Sequence, residues 1–234
     1  MNTPLNDPKV IVALDFDSAD KAIALVDQLD PAMCRLKVGK ELFTRTGPQL
    51  VQQFIAKGFD VFLDLKFHDI PNTVAKACVS AAELGVWMVN VHTQGGPTMM
   101  KAARDAIDVC EKKPLLIGVT ILTSLTDADI HAVGLQGTAE QNVLRLAKLA
   151  EQCGLDGVVC SPMEVLTLRD QVNENFKLVT PGIRPAGSSR DDQSRVMTPK
   201  TALAAGSSYI VVGRPITQAK NPLAALQAIL TEIK

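Results

Sequence analysis

Residues 10–17 read Val10-Ile11-Val12-Ala13-Leu14-Asp15-Phe16-Asp17. A short β-branched apolar run that stops at a carboxylate has the pattern of a strand buried on both faces, as in a parallel sheet. No glycine follows it, so the G-x-G-x-x-G turn that announces an open doubly wound fold is missing from its usual place. Similar runs recur at residues 34–38, 60–66, 86–91, 115–121, 157–160, 176–180 and 209–212. Amphipathic stretches fill the intervals. Ser18 is placed to cap a helix reaching Leu29, with Ala22, Leu25, Val26 and Leu29 on one stripe. Ala102, Ala103, Ala106 and Ile107 form a second stripe, and Val143, Leu146, Ala147 and Ala150 a third within residues 138–153. Eight strands alternating with helices over 234 residues predict an α/β chain folded as a single-domain (β/α)8 TIM barrel spanning residues 1–234.

Composition agrees with a packed globular protein. Apolar residues make up 47% and charged residues 21%, which excludes a disordered chain. Lys+Arg total 24 against 25 Asp+Glu, a net charge of −1. Affinity for nucleic acid rests on a cationic surplus that this chain lacks, so no nucleic-acid partner is expected. No apolar stretch approaches the length of a membrane span, and the polar opening Met1 to Lys9 has no signal-peptide core. Cys34, Cys78, Cys110, Cys153 and Cys160 are odd in number and form no C-x-x-C pair. They read as small buried hydrophobes in a reducing compartment, so a cytoplasmic location is expected. His68, His92 and His131 lack metal-ligand spacing, and no metal site is expected. Met99, Met100 and Trp87 read as core, and Gln94-Gly95-Gly96 as a strand-to-helix turn.

Barrel chemistry sits at the C-terminal ends of the strands. The polar residues there are Asp15, Lys37, Asp64 with Lys66, Asn90 with His92, Thr120 with Thr123 and Ser124, Ser161, Thr180, and Gly213 with Arg214. Ser161, before Pro162, reads as a helix cap. The third run is the unusual one. Asp64 and Lys66 are two apart and share a face of the strand, and Asp69 follows just before Pro71 opens a helix. Charge is costly inside a barrel, and a buried ion pair stabilises weakly beside apolar packing. The D-x-K-x-x-D cluster therefore reads as chemical, with Lys66 an ammonium flanked by two carboxylates and suited to delivering a proton. Gly213-Arg214 before Pro215 has the make-up of a phosphate site after the last strand, although taken alone Arg214 is an ordinary surface cation. Residues 182–193 form a polar loop that reads either as a mobile lid or as a variable surface connection.

Asp64-Leu65-Lys66-Phe67-His68-Asp69-Ile70-Pro71-Asn72-Thr73 resembles the signature of the orotidine 5′-phosphate decarboxylase family. Leu36-Lys37-Val38-Gly39, Val179-Thr180-Pro181-Gly182-Ile183-Arg184 and Val212-Gly213-Arg214-Pro215 match it in order. The resemblance implies conversion of orotidine 5′-monophosphate to uridine 5′-monophosphate and CO2 without metal or organic cofactor. It further implies a homodimer whose active sites are shared between chains. Under it Lys66 protonates C6 of the ring, and Asp64 lies beside the departing carboxylate. Lys37 and Asp15 hold the ribose hydroxyls and the charge network. Asp69 and Thr73 reach the neighbouring chain's site. Thr123 and Ser124 lie near the pyrimidine, Pro181 and Arg184 belong to the wall and lid, and Gln193, Arg214 and the Gly213 amide grip the phosphate. A metal-dependent sister barrel acting on keto-sugar phosphates is disfavoured by the intact D-x-K-x-x-D-I-P-x-T. A non-enzymatic nucleotide sensor is disfavoured by the retention of both Asp64 and Lys66.

Overall fold

The computed structural model describes residues 7–185 and 197–234. Eight parallel strands close into a barrel in sequence order: β1 (Val10–Ala13), β2 (Arg35–Gly39), β3 (Val61–Phe67), β4 (Met88–His92), β5 (Leu115–Val119), β6 (Gly157–Val159), β7 (Lys177–Thr180) and β8 (Tyr209–Val212). β1 pairs with both β2 and β8, so the sheet has no free edge. The helices covering it include α1 (Ala19–Val26), α2 (Lys40–Ala56), α3 (Pro71–Glu83) and α4 (Gly96–Asp108). They continue with α5 (Asp127–Ala132), α6 (Ala139–Gln152), α7 (Val165–Arg169), α8 (Pro199–Ala204), α9 (Arg214–Thr217) and α10 (Pro222–Glu232). α2 bends where Gly47 takes φ +66° ahead of Pro48, a backbone that costs glycine little.

Period-two alternation divides the apolar residues between two cores. Val10, Val12, Leu36, Val38, Leu63 and Val89 face outward and pack under the helices. Ile11, Ala13, Phe62, Met88, Ile117, Val179 and Val211 face inward and fill the barrel. The same alternation puts Lys37, whose Cα pairs with those of Ala13 and Phe62, on the inward side. Ser18 caps α1 by accepting from the Lys21 N–H, and Thr138 caps α6 in a reciprocal box with Gln141. Ser161 is likewise a cap, paired with Glu164. Pro71 opens α3 in its first turn, as its fixed φ favours.

Met99 and Met100 are core residues, as expected. Trp87 is not. It is half-buried, with its ring 4.1 Å from the Arg35 guanidinium and edge-on to Tyr209 at 5.0 Å. A planar cation stacks on an aromatic face, and that contact draws the indole to the N-terminal mouth of the barrel.

Candidate active site

The C-terminal ends of the strands surround a cavity of about 820 Å³. Lys37 of β2 and Asp64 and Lys66 of β3 form one wall, with Asp15 just beyond β1 at the rim. Thr123 lines it after β5, Pro181 and Arg184 after β7, and Gly213 and Arg214 after β8. These residues come from six different strand ends, so only barrel closure brings them together.

Four charges run in a row along the wall. Lys66 Nζ lies 2.6 Å from Asp64 Oδ1, Lys37 Nζ lies 3.3 Å from Asp64 Oδ2, and Lys37 Nζ donates to Asp15 Oδ1 at 3.1 Å. Cations and anions alternate, so each buried charge has a partner. Burial pushes the Asp64 carboxyl up, but the Lys37 and Lys66 cations and hydrogen bonds from Lys66 and Asn90 outweigh it. The net effect holds Asp64 below the usual carboxylate range. Burial lowers the Lys37 ammonium, and Asp64 and Asp15 more than reverse this, leaving it above the ordinary lysine value. Both groups are therefore charged at neutral pH. Gly39 makes room for the row, because a Cβ there would stand 3.3 Å from Lys37 Nζ.

The strand that carries the pair is irregular. Leu63 pairs with Val89 and Phe67 with Val91, so Asp64, Leu65 and Lys66 stand opposite Asn90 alone. Lys66 has φ +54°, the one positive φ outside glycine among the described residues. A left-handed backbone costs a residue with a Cβ about 1–2 kcal/mol. The buried Asn90 amide meets both members of the pair. Its Oδ1 accepts from the Lys66 N–H at 2.8 Å, and its Nδ2 donates to Asp64 Oδ1 at 2.7 Å. Next along β4, His92 packs against His68 with ring centroids 5.5 Å apart. Burial, then His68 and Lys40, push its imidazole down to about 4, so the ring is neutral at pH 7.

The match to known proteins runs the length of the chain. The family model described as "Orotidine 5'-phosphate decarboxylase / HUMPS family" matches residues 8–229. A protein of Saccharophagus degradans named orotidine 5′-phosphate decarboxylase is 60% identical over 233 residues, covering 100% of this chain and 97% of that one. This chain belongs to the orotidine 5′-phosphate decarboxylase family. A Hydrogenovibrio crunogenus protein of the same name is 61% identical over 227 residues, 97% of this chain and 96% of its own. The crystal structure of orotidine 5′-phosphate decarboxylase from Lactobacillus acidophilus superposes with a TM-score of 0.87 at 40% identity, covering 97% of this chain and 100% of that one.

Not every residue singled out by the family motif reaches the cavity. Asp69 is exposed, and its Oδ1 accepts from the Ile70 N–H at 2.6 Å rather than flanking Lys66. Within one chain the expected order is thus inverted: one carboxylate, Asp64, lies between two ammonium groups. The turn after β3 carries Asp69 out of the barrel mouth before α3 begins. Thr73, in the first turn of α3, is also exposed and outside the cavity lining, as is Ser124 beside its lining neighbour Thr123. Gln193 and most of the polar loop of residues 182–193 lie outside the described residues. Asn90 appeared in the sequence as a polar strand end without a role. The available signal was parity: it lies two residues beyond the inward-facing Met88, so an amide was bound to point into the barrel.

Proposed function

We propose that this chain decarboxylates orotidine 5′-monophosphate to uridine 5′-monophosphate and CO2, the last step of UMP biosynthesis, with the chemistry centred on Lys66 and Asp64. The observation that carries the reading is the Lys66 ammonium on the cavity wall, 2.6 Å from Asp64, on a backbone bent to put it there. Breaking the bond between C6 and the carboxylate leaves the electron pair on C6 as a vinyl carbanion. With no electron sink in the pyrimidine to take up the pair, an enzyme must hold that charge by preorganised electrostatics. Lys66 stabilises it and gives its proton to C6, and the amine then regains a proton from water. Asp64 lies beside the departing carboxylate and fixes the ammonium. Asp15 and Lys37 hold the ribose hydroxyls, and Thr123 and Ser124 lie near the pyrimidine, with Pro181 and Arg184 on the wall. Arg214, the Gly213 amide and Gln193 bind the phosphate, whose remote binding energy serves the reacting end. A cavity of about 820 Å³ is of a size to take a nucleotide. The reading needs no metal or organic cofactor. It treats residues 1–234 as one barrel domain, and it places the chain in the cytoplasm, supported by five free cysteines.

The same reading takes the protein as a homodimer in which Asp69 and Thr73 complete the partner's site. Their exposure supports this, as does Ile70 between them, a large apolar side chain left 66% exposed. A two-fold contact exchanges such residues reciprocally. The direct test is loss of orotate ultraviolet absorbance when purified, EDTA-treated protein meets orotidine 5′-monophosphate; unchanged absorbance overturns the activity. Sharing is tested by mixing Asp69→Ala with Lys66→Ala protein, each inactive alone. Random exchange restores about a quarter of the sites if they are shared. Verified exchange with no recovery places Asp69 in its own chain's site.

A further inference from the structure

Asn90 is wholly buried and takes no part in the roles assigned above. Three residues of β3 oppose it, so the regular ladder between β3 and β4 is interrupted opposite Lys66. The Asn90 side chain takes the place of the missing acceptor through its bond from the Lys66 N–H. Its other end donates to Asp64 Oδ1, the same oxygen that Lys66 Nζ holds. An acceptor must face the N–H and a donor must face the carboxylate, so the partners themselves set the orientation of the amide. One rigid planar group thus ties the backbone of the first residue to the carboxylate of the second. Filling space in the barrel would need only an apolar side chain of similar size, as Met88 and Ile117 provide on the neighbouring positions.

We infer that Asn90 is a positioning residue for the decarboxylation: it holds the left-handed backbone of Lys66 and one oxygen of Asp64, and so fixes where the ammonium points. The inference rests on the roles proposed for Lys66 and Asp64. A displacement on the order of 1 Å at reacting groups costs about a hundredfold in rate. Loss of the clamp is therefore expected in kcat, with little change in affinity for a nucleotide held largely by its phosphate.

Two variants of the full chain test this, Asn90→Ala and Asn90→Asp, with folding checked by circular dichroism and binding by titration with uridine 5′-monophosphate. Asn90→Ala is expected to lower kcat about a hundredfold, with product affinity kept within about threefold. In Asn90→Asp the protonated carboxyl reproduces the amide, since its carbonyl accepts from the Lys66 N–H and its O–H donates to Asp64. Its ionised form sets two anions together. The activity of Asn90→Asp relative to wild type is therefore expected to fall as pH rises through the titration of the new carboxyl. Lys37, Asp64 and Lys66 line the cavity and His92 lies next along β4 in both proteins, so the ratio of the two pH profiles reports the new carboxyl together with its coupling to them. If Asn90→Ala does not fold, the profile of Asn90→Asp decides alone. Folded Asn90→Ala with kcat within about threefold of wild type, or kcat and product affinity falling in equal proportion, overturns the inference. So does a constant activity ratio for Asn90→Asp at every pH. A wild-type chain that leaves orotidine 5′-monophosphate intact overturns the proposed function and this inference together, whereas an active wild type with unaffected variants overturns this inference alone.

Discussion

β2 carries two cations, Arg35 and Lys37, two residues apart, and they serve opposite ends of the barrel. At the N-terminal mouth the Arg35 guanidinium lies between Trp87 at 4.1 Å and Tyr209 at 5.0 Å, bonded to Asp60 at 3.0 Å and Asp7 at 2.8 Å. Its carboxylates are about half exposed, at 51% for Asp60 and 42% for Asp7, and they stay hydrated. At the other mouth Lys37 meets a carboxylate that is only 11% exposed, beside an open cavity. Charge inside a barrel is thus no sign of chemistry in itself. The N-terminal cation is covered by aromatic faces and balanced by wet carboxylates, so it acts as a plug. The C-terminal cations share one dry carboxylate and face space that a ligand can fill, so they are poised to act on it. Arg suits the first place because its planar fork stacks, and Lys the second because it is a compact proton carrier.

The contrast is tested most severely at Lys66. Lys66→Ala is expected to lower kcat by about three powers of ten or more while leaving product binding nearly unchanged, as steady-state kinetics will show. Urea titration is expected to show a smaller fall in the unfolding midpoint, because Lys37 still neutralises Asp64. A variant keeping more than about a tenth of wild-type kcat contradicts the assignment, since one decade is only about 1.4 kcal/mol. Next in size is Arg214→Ala, expected to raise KM by about a hundredfold through the loss of a charge-assisted phosphate contact. Equal KM values remove Arg214 from the site. Arg35→Ala should do the reverse of Lys66→Ala. Losing the stacked cation and its hydrogen bonds costs about 2 kcal/mol of stability, with kcat held within about twofold. A large fall in its kcat erases the distinction between the two mouths.

The smallest effect is a pH dependence. The Asp64 carboxyl is lowered in the fold, so it contributes stability above the unfolded value of about 3.9, and that contribution is lost as pH falls through the folded value. The Lys37 ammonium is raised, so its contribution is complete below about 10.4 and is lost as pH rises through its folded value. Between these limits two other kinds of group act. The His92 imidazole is pushed down to about 4, so stability falls as pH drops below its unfolded value of about 6.5. The buried Cys34 and Cys78 thiols are pushed up to about 12 and keep protons that the unfolded chain loses, so stability also falls above about 8.5. The level region is therefore expected at about pH 7 to 8. Asp64→Asn should flatten the acid arm relative to wild type in urea titrations run at stepped pH. An unchanged acid slope points instead to exposed carboxylates.

Strand order and the identity of the site strands were legible in the sequence, because burial on both faces leaves an unbroken apolar run. The last run was read to the residue, as Tyr209–Val212. Some runs overshoot the ladders, since β4 begins at Met88 although Val86 is buried and β5 ends at Val119 although Ile121 is buried. In contrast, β2, β3 and β4 each extend one residue past the end of their run. An apolar run reports burial, and burial continues past the last backbone hydrogen bond. For the same reason the first helix was read to Leu29, which is buried but lies beyond the end of α1 at Val26.

The sequence by itself determined the barrel, the strand face that Asp64 and Lys66 share, and the motif that marks them. These follow from local periodicity and residue type, which travel with the chain wherever it folds. Which charge meets which was decided only in three dimensions. Asp64 lies between Lys37 and Lys66, Asp69 turns away, and Asn90 clamps Lys66 in a left-handed backbone across the β3–β4 seam. The reason is that this arrangement depends on strand register and on three residues opposing one, a property of two strands together that neither strand's sequence contains.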